Sequence, residues 1–163
     1  MKYAAVTGTF DPPTLGHLDI IQRAHKMCNK LIVCVAQNES KVKQITFSVD
    51  DRVAMLKEIT KDLANTSVVF VDGLISDYAK KNNIHFLVRG LRAFSNIENE
   101  LRMAQANKKL SGVETVFLLA DERYSHISSS LIKEISFHKS SLKDFVPSSI
   151  EESVLKRLLN KKK

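Results

Sequence analysis

Five short runs of apolar and β-branched residues recur along this chain of 163 residues, and segments with helical periodicity separate them. The runs are Ala4–Val6, Leu31–Val35, Val68–Val71, His85–Val88 and Thr115–Leu119. Because they lack the apolar–polar alternation of a half-exposed strand, they fit strands that are covered on both faces. Strands that alternate with helices build βαβ units and a parallel sheet. We therefore predict one α/β domain over 1–163, a Rossmann-like, doubly wound, five-stranded parallel sheet with helices on both faces.

Six helices are predicted between and after these strands. The first carries Leu18, Ile21 and Ala24 on one face, and the second follows Ser48, which begins a Ser-Val-Asp-Asp run typical of a helix cap. The others are predicted over about 74–83 and 96–110, from Ser128 onward, and over about 149–159. Ligands of such sheets bind at the carboxyl ends of the strands, where the strand order reverses. We expect the functional site there.

The net charge of +7 lies largely at the C-terminal end. The last eight residues hold five basic and no acidic side chains, which leaves 20 basic against 18 acidic residues elsewhere. We interpret about 160–163 as a basic tail and predict no nucleic-acid or membrane partner. Two cysteines are too few for a disulfide framework, and no signal peptide or membrane span is evident, so a cytoplasmic location is expected.

The most informative motif lies between the first strand and the first helix, over Thr7–His17. Gly8 relaxes the backbone at the strand end, and the two prolines that follow Asp11 stiffen the loop. Thr14 and His17 share one face of the first helical turn, whose free N–H groups and positive dipole end suit a phosphate. The alternative is a purely structural arrangement with Thr14 as a helix cap and His17 at the surface.

Two stretches carry a resemblance. The Gly-Thr-Phe-Asp-Pro run over 8–12, with Thr14, Gly16 and His17 after it, resembles the first signature of the nucleotidyltransferase superfamily. Ile127–Ser130 resembles its second signature, about 110 residues further on. The order and separation of the two stretches match that superfamily.

Residues between the signatures narrow the resemblance. Arg89 and Arg92 flank a glycine at a predicted strand end and form a fork suited to anionic oxygens. Together with Glu100, Asn107 and the segment Tyr124–Ser130, they resemble the bacterial phosphopantetheine adenylyltransferase family. The resemblance implies ATP and 4′-phosphopantetheine as substrates, dephospho-coenzyme A as product, coenzyme A as a candidate feedback ligand, and a homohexamer.

The resemblance also implies roles for individual residues. The catalytic residues would be His17, Thr9 and Lys41, with Lys43 as an alternative because the loop after Lys41 is longer than usual. The acceptor would be bound by Thr9, Lys41, Ile75, Arg89 and Asn107. ATP would be bound by Thr9, Phe10, His17, Gly90, Leu91, Arg92, Glu100, Tyr124, Ser125, His126, Ile127, Ser128, Ser129 and Ser130.

The expected reaction is direct in-line attack of the acceptor phosphate on the α-phosphate of ATP. A phosphate is already ionised at neutral pH, so positioning and charge stabilisation are needed rather than a general base. Mg²⁺ is expected with the triphosphate, and Asp11 is expected to fix its loop rather than to bind the ion. Two alternatives stay open: a related transferase that uses CTP or a nicotinate nucleotide, and a non-catalytic basic protein.

Overall fold

A single parallel sheet organises the computed structural model, which describes residues 1–36, 45–92, 97–138 and 140–160. Its five strands follow the order β3-β2-β1-β4-β5. They are β1 (Tyr3–Gly8), β2 (Lys30–Ala36), β3 (Thr66–Val71), β4 (Phe86–Leu91) and β5 (Glu114–Leu119). All five predicted strands are confirmed. β1 and β2 extend beyond their apolar runs at both ends, β3 and β5 extend only at the start, and β4 begins one residue later than predicted but extends further at its end.

Six α-helices are present in the described part of the chain, as predicted. They are α1 (Leu15–His25), α2 (Val49–Thr60), α3 (Ile75–Lys81), α4 (Ile97–Ser111), α5 (Ser129–Phe137) and α6 (Ser148–Asn160). The predicted cap of α2 is confirmed, because Ser48 Oγ accepts from the Asp51 N–H at 3.1 Å and Asp51 Oδ2 accepts from the Ser48 N–H at 3.2 Å. A short 3₁₀ helix over Glu122–Tyr124 was not predicted.

The sheet is covered on both faces, as a doubly wound fold requires. On one face Ala4, Val6 and Val33 pack in a buried cluster with residues of α1 and α2. On the other face Ala5 and Ile32 pack in a cluster that includes residues of α3. The alternation of neighbouring strand residues between the two clusters follows from the two-residue period of a strand.

The C-terminal helices build a third cluster at the side of α2. Phe47, Ile127 and Ile132 are buried there together with Ile150 and Val154 of α6. This cluster joins the segment before α2 to the start of α5. It therefore fixes the position of two chain segments that reach the carboxyl edge of the sheet.

The strand order places a switch point between β1 and β4. The chain runs outward from β1 through β2 to β3, and then returns to β4 on the other side of β1. The loops that follow β1 and β4 consequently diverge and leave a crevice, which is where such sheets bind ligands. Within the residues that the structure describes, none of the helices is long and apolar enough to cross a membrane.

Candidate active site

A cavity of about 420 Å³ opens at the β1–β4 switch point. Seven parts of the chain contribute to it: the end of β1 with the loop after it, the first turns of α1, Ile45 before α2, the end of β4 with Arg92 after it, the start of α4, Ala120 after β5, and Ile127 with the first turns of α5. The polar and glycine residues of its lining include Thr7, Gly8, Thr9, Asp11, Thr14, Gly16, His17, Arg89, Gly90, Arg92, Glu100, Ser129, Ser130 and Lys133. Of the predicted site residues, Phe10 and Ile127 line it as well.

The turn after β1 is shaped by Phe10. This residue has a φ of +52°, in the left-handed region, and its side chain is only 2% exposed. A β-carbon on Gly8 would lie 2.9 Å from Phe10 Cζ, so only glycine lets the ring lie against the strand end. The reason for Gly8 is thus close packing rather than an unusual backbone conformation. The Phe10 ring also meets the His17 ring edge-on, with centroids 5.0 Å apart.

Thr14 and His17 form a reciprocal cap at the start of α1. The His17 N–H donates to Thr14 Oγ1 at 3.1 Å, and the Thr14 N–H donates to His17 Nδ1 at 3.0 Å. A histidine here fills the helix position that glutamate or glutamine takes in the usual capping box. Because Nδ1 accepts a hydrogen bond, the proton of the neutral ring resides on Nε2. Thr14 is therefore a cap, as the structural alternative held, but His17 also lines the cavity.

His17 is neutral over the physiological pH range. Burial, followed by the Arg92 and Arg89 guanidiniums, lowers the pKa of His17 from 6.5 to about 3. Desolvation and nearby positive charge both oppose protonation of the ring. A neutral ring with its proton on Nε2 acts as a fixed hydrogen-bond donor and not as a cation.

The start of α5 faces the same cavity. Ser128 caps the helix by accepting the Leu131 N–H at 3.0 Å, and Ser129 Oγ donates to the Pro12 carbonyl at 2.9 Å. The latter bond ties α5 to the loop after β1. The first-turn N–H groups of a helix have no intrahelical partner, so α1 and α5 both direct orphan donors and positive dipole ends toward the cavity.

The two arginines after β4 differ in their contacts. Arg89 makes a two-point ion pair with Glu100, at 2.8 Å from Nε and 2.7 Å from Nη2, and its Nη1 donates to the Thr7 carbonyl. Arg92 Nη1 donates to the Ile127 carbonyl at 2.6 Å and so connects the β4 loop to the serine segment. The two arginines of the predicted fork therefore have separate partners. Arg89 is paired with Glu100, and Arg92 contacts the Ile127 carbonyl.

Asp11 holds three segments together. Its carboxylate accepts the N–H groups of Thr46, at 2.9 Å to Oδ2, and of Phe47, at 2.8 Å to Oδ1, and it forms an ion pair with Lys133. These contacts confirm the loop-fixing role expected for Asp11. Lys133 was missed by the sequence analysis. It lies one turn after Ser130 on α5, so helical spacing from the serine cluster was the available signal.

Several predicted site residues lie outside the lining of this cavity. The structure places them as follows: Leu91 ends β4, Tyr124 lies under the Arg123 guanidinium, Ser125 Oγ donates to the Glu122 carbonyl, His126 faces the Phe145 ring, Ser128 caps α5, Ile75 begins α3 and packs against the cluster that contains Ala5, and the Asn107 backbone carbonyl accepts from Ser111 within α4. Lys41 and Lys43 lie outside the described residues. Across the described ranges, no cluster of three or more His, Cys, Asp or Glu side chains suits a metal ion.

The sequence matches the family model described as Cytidylyltransferase-like over residues 5–135. That range begins in β1 and ends in α5, so it covers every element that lines the cavity. The fold is similar to the crystal structure of the lipopolysaccharide core biosynthesis protein from Thermoplasma volcanium GSS1, with a TM-score of 0.55, 18% identity, and coverage of 74% of this chain and 97% of that one. This likeness supports the architecture alone.

Curated relatives are considerably more similar. The phosphopantetheine adenylyltransferase of Caldanaerobacter subterraneus subsp. tengcongensis is 44% identical over 158 residues, which cover 96% of this chain and 98% of the relative. The protein of the same name from Clostridium botulinum strain 657 is 42% identical over 163 residues, with coverage of 99% and 98%. The chain therefore belongs to the cytidylyltransferase-like family of nucleotidyltransferases and, within it, to the phosphopantetheine adenylyltransferases.

Proposed function

We propose that this protein transfers the adenylyl group of ATP to 4′-phosphopantetheine, which gives dephospho-coenzyme A and pyrophosphate in coenzyme A biosynthesis. The observation that carries the proposal is the convergence of His17, Arg92 and the first turns of α1 and α5 on one cavity at the switch point. Such a set of cationic and N–H donors suits a chain of phosphates. The name shared by relatives of nearly equal length supports phosphopantetheine as the acceptor.

The chemical step is in-line attack by an acceptor phosphate oxygen on the α-phosphorus of ATP. A new P–O bond forms to the acceptor while the bond from the α-phosphorus to the pyrophosphate oxygen breaks, and no proton has to be removed from the nucleophile. His17, with its lowered pKa, is suited to donate through Nε2–H to an α-phosphate oxygen as charge grows there. Thr9 lies in the same lining and supplies a second donor.

We assign the leaving pyrophosphate to the part of the cavity that Arg92 and the start of α5 line. Arg92 and the N-terminal turn of α5, with Ser129 and Ser130, provide one charge and several N–H or hydroxyl donors there. ATP would enter as its magnesium complex, and the ion would be held mainly by phosphate oxygens and water. Mg²⁺ would lower the repulsion between the triphosphate and the acceptor phosphate, while the protein groups fix the geometry.

The acceptor side rests on fewer described residues. We propose that Arg89 contacts the acceptor while it stays paired with Glu100, since both side chains line the cavity. Lys41, or Lys43 in its place, is proposed to bridge the nucleophilic phosphate and the α-phosphate. Separate Lys41→Ala and Lys43→Ala variants distinguish the two, because only the bridging lysine should lower turnover strongly.

The test is pyrophosphate release with either ATP or CTP, Mg²⁺ and a panel of acceptors. Release with ATP and phosphopantetheine, and with no other pair, is the expected result. Release with CTP and a phosphorylated alcohol, or with ATP and nicotinate mononucleotide, would replace the proposed acceptor. Absence of release with every pair, together with salt-sensitive binding to RNA, would favour the non-catalytic alternative.

We propose that copies of this chain associate into a homo-oligomer through the surface of α4. No residue of this 15-residue helix is buried, and Ile97, Leu101, Met103 and Leu110 are between 46% and 56% exposed. A run of exposed apolar side chains on one helix suits an interface between copies. The family resemblance suggests six copies. Leu101→Glu should lower the molar mass measured by light scattering, whereas Lys109→Glu, on the same helix, serves as the control.

A further inference from the structure

Arg52 is a buried, charged residue that belongs neither to the sequence motifs nor to the lining of the cavity. Its side chain is 0% exposed and projects from α2, an element that does not line the cavity. Its Nη1 donates to the Thr9 carbonyl at 2.9 Å, and its Nε donates to the Ser48 carbonyl at 3.3 Å. Arginine is rarely buried to this extent unless it is paired, so its contacts indicate what it does.

Two charged side chains connect the turn after β1 to the segment over residues 46–52, one at each end of the turn. Arg52 holds the carbonyl of Thr9, and Asp11 accepts the N–H groups of Thr46 and Phe47 just before α2. Between these two anchors lies Phe10, whose φ of +52° is a conformation that a non-glycine side chain rarely adopts. Such conformations cost about 1–3 kcal/mol and persist only where the surroundings fix them. The two anchors provide that fixation.

The electrostatic consequence concerns the phosphate site. A backbone carbonyl that faced the cavity would repel phosphate oxygens, and Arg52 engages the Thr9 carbonyl from the α2 side instead. Burial lowers the pKa of Arg52 and the nearby Asp11 raises it, but an arginine remains protonated at neutral pH. The guanidinium therefore also adds a positive charge behind the turn.

We propose that Arg52 is a positioning residue for adenylyl transfer: from outside the cavity, it holds the Thr9 backbone so that the Thr9 hydroxyl faces the α-phosphate. This inference rests on the proposed function. A purely structural Arg52 would make a different prediction: its replacement would lower stability by leaving the Thr9 and Ser48 carbonyls without their donor, while kcat of the folded variants would stay normal.

The test uses two substitutions. Arg52→Lys keeps the charge but loses the simultaneous contacts with the Thr9 and Ser48 carbonyls, and Arg52→Gln loses the charge but keeps an N–H donor. Displacement of a reacting group by about 1 Å can cost on the order of 100-fold in rate. We expect kcat to fall about 10- to 100-fold in the folded variants while KM for ATP changes less than about threefold. Arg157→Lys is the matched control, because Arg157 is half-exposed and forms a long ion pair with Asp51 of α2 at 4.0 Å.

A double-mutant cycle with Thr9→Val separates positioning from general destabilisation. If Arg52 acts through Thr9, Arg52→Lys should cost less than about threefold in the Thr9→Val background. Equal fold-losses in both backgrounds would overturn the proposal, and so would wild-type kcat in a folded Arg52→Lys protein. Should either substitution prevent folding, the cycle is run with the other one.

A readout without substrate keeps this inference separate from the proposed function. The ¹³C shift of the Thr9 carbonyl and the ¹⁵N shift of the Phe10 amide should change in Arg52→Lys and stay unchanged in Arg157→Lys. If the wild-type protein released no pyrophosphate with any acceptor, the proposed function would fail while these shifts still reported the contact. Unchanged shifts in Arg52→Lys would refute the positioning contact itself.

Discussion

Replacing His17 tests the assigned chemistry most directly, and the structure allows two different replacements. His17→Ala removes both the imidazole and the acceptor of the Thr14 N–H, which lies 3.0 Å from Nδ1. His17→Gln removes the imidazole but can restore the acceptor, because glutamine is a usual partner in a capping box. Glutamine also carries an amide N–H₂ group, so the pair separates loss of the cap from loss of the imidazole donor at its fixed position.

The expected magnitudes differ for stability and for rate. Loss of the cap leaves the N–H of Thr14, a residue that is 2% exposed, without its partner, so His17→Ala should lower the free energy of unfolding by about 1 kcal/mol. His17→Gln should lower it by less. Loss of a preorganised donor to a developing anion costs on the order of 10²–10³ in kcat, which corresponds to about 3–4 kcal/mol. Turnover should therefore fall in both variants, although only the alanine variant loses the cap.

The assay is pyrophosphate release with saturating ATP and phosphopantetheine, accompanied by urea unfolding and by calorimetric titration of ATP. ATP affinity should change only modestly, because the donor acts mainly on the charge that grows in the transition state. A folded His17→Ala protein with near-normal turnover would refute the role of His17. A parallel loss of ATP affinity and turnover would show instead that His17 contributes uniform binding.

Three further predictions concern charged groups around the cavity. As the pH falls from 6.5 toward about 3, His17 becomes protonated in the unfolded chain but stays neutral in the folded protein, so the free energy of unfolding decreases in acid. The urea midpoint should therefore fall more between pH 7 and pH 5 in the wild type than in His17→Gln. Asp11→Asn loses the ion pair with Lys133 and should destabilise the fold by about 2–3 kcal/mol in urea unfolding, whereas an unchanged midpoint would refute the anchoring role. Arg92→Gln removes a charged donor to the Ile127 carbonyl and a charge from the phosphate side, and calorimetry should show ATP binding weakened about tenfold or more.

The fold was predictable because its strands are covered on both faces. Side chains such as Ala5 and Val6 pack into clusters on opposite sides of the sheet, so the sequence shows an uninterrupted apolar run. The strand ends were less accurate, since Lys30, Thr66 and Glu114 are polar and still pair with their neighbours. Hydrogen bonding to an adjacent strand extends each element beyond its apolar core.

The site was predictable where its residues are adjacent in sequence. Thr14 and His17 lie within one helical turn, so their proximity follows from spacing alone. The contacts of Lys133 with Asp11 and of Arg52 with Thr9 join residues 122 and 43 positions apart, and no local pattern contains them. Ser125 and His126 were assigned to ATP by the family resemblance; in the structure Ser125 Oγ donates to the Glu122 carbonyl, the His126 ring faces Phe145, and neither residue lines the cavity.

The charge of the cavity explains why a neutral His17 suits adenylyl transfer. The described lining contains three cationic side chains, Arg89, Arg92 and Lys133, and two of them are paired with Glu100 and Asp11. Additional fixed positive charge would bind the triphosphate about equally strongly in the ground state and in the transition state, and uniform binding of this kind does not raise kcat. A neutral Nε2–H donor interacts modestly with the ground state and more strongly as charge concentrates on the α-phosphate oxygens. In the proposed mechanism the proximity of Arg92 and Arg89 would serve the reaction twice, because the guanidiniums that attract phosphate also add to burial in lowering the pKa of His17 and keeping its ring neutral.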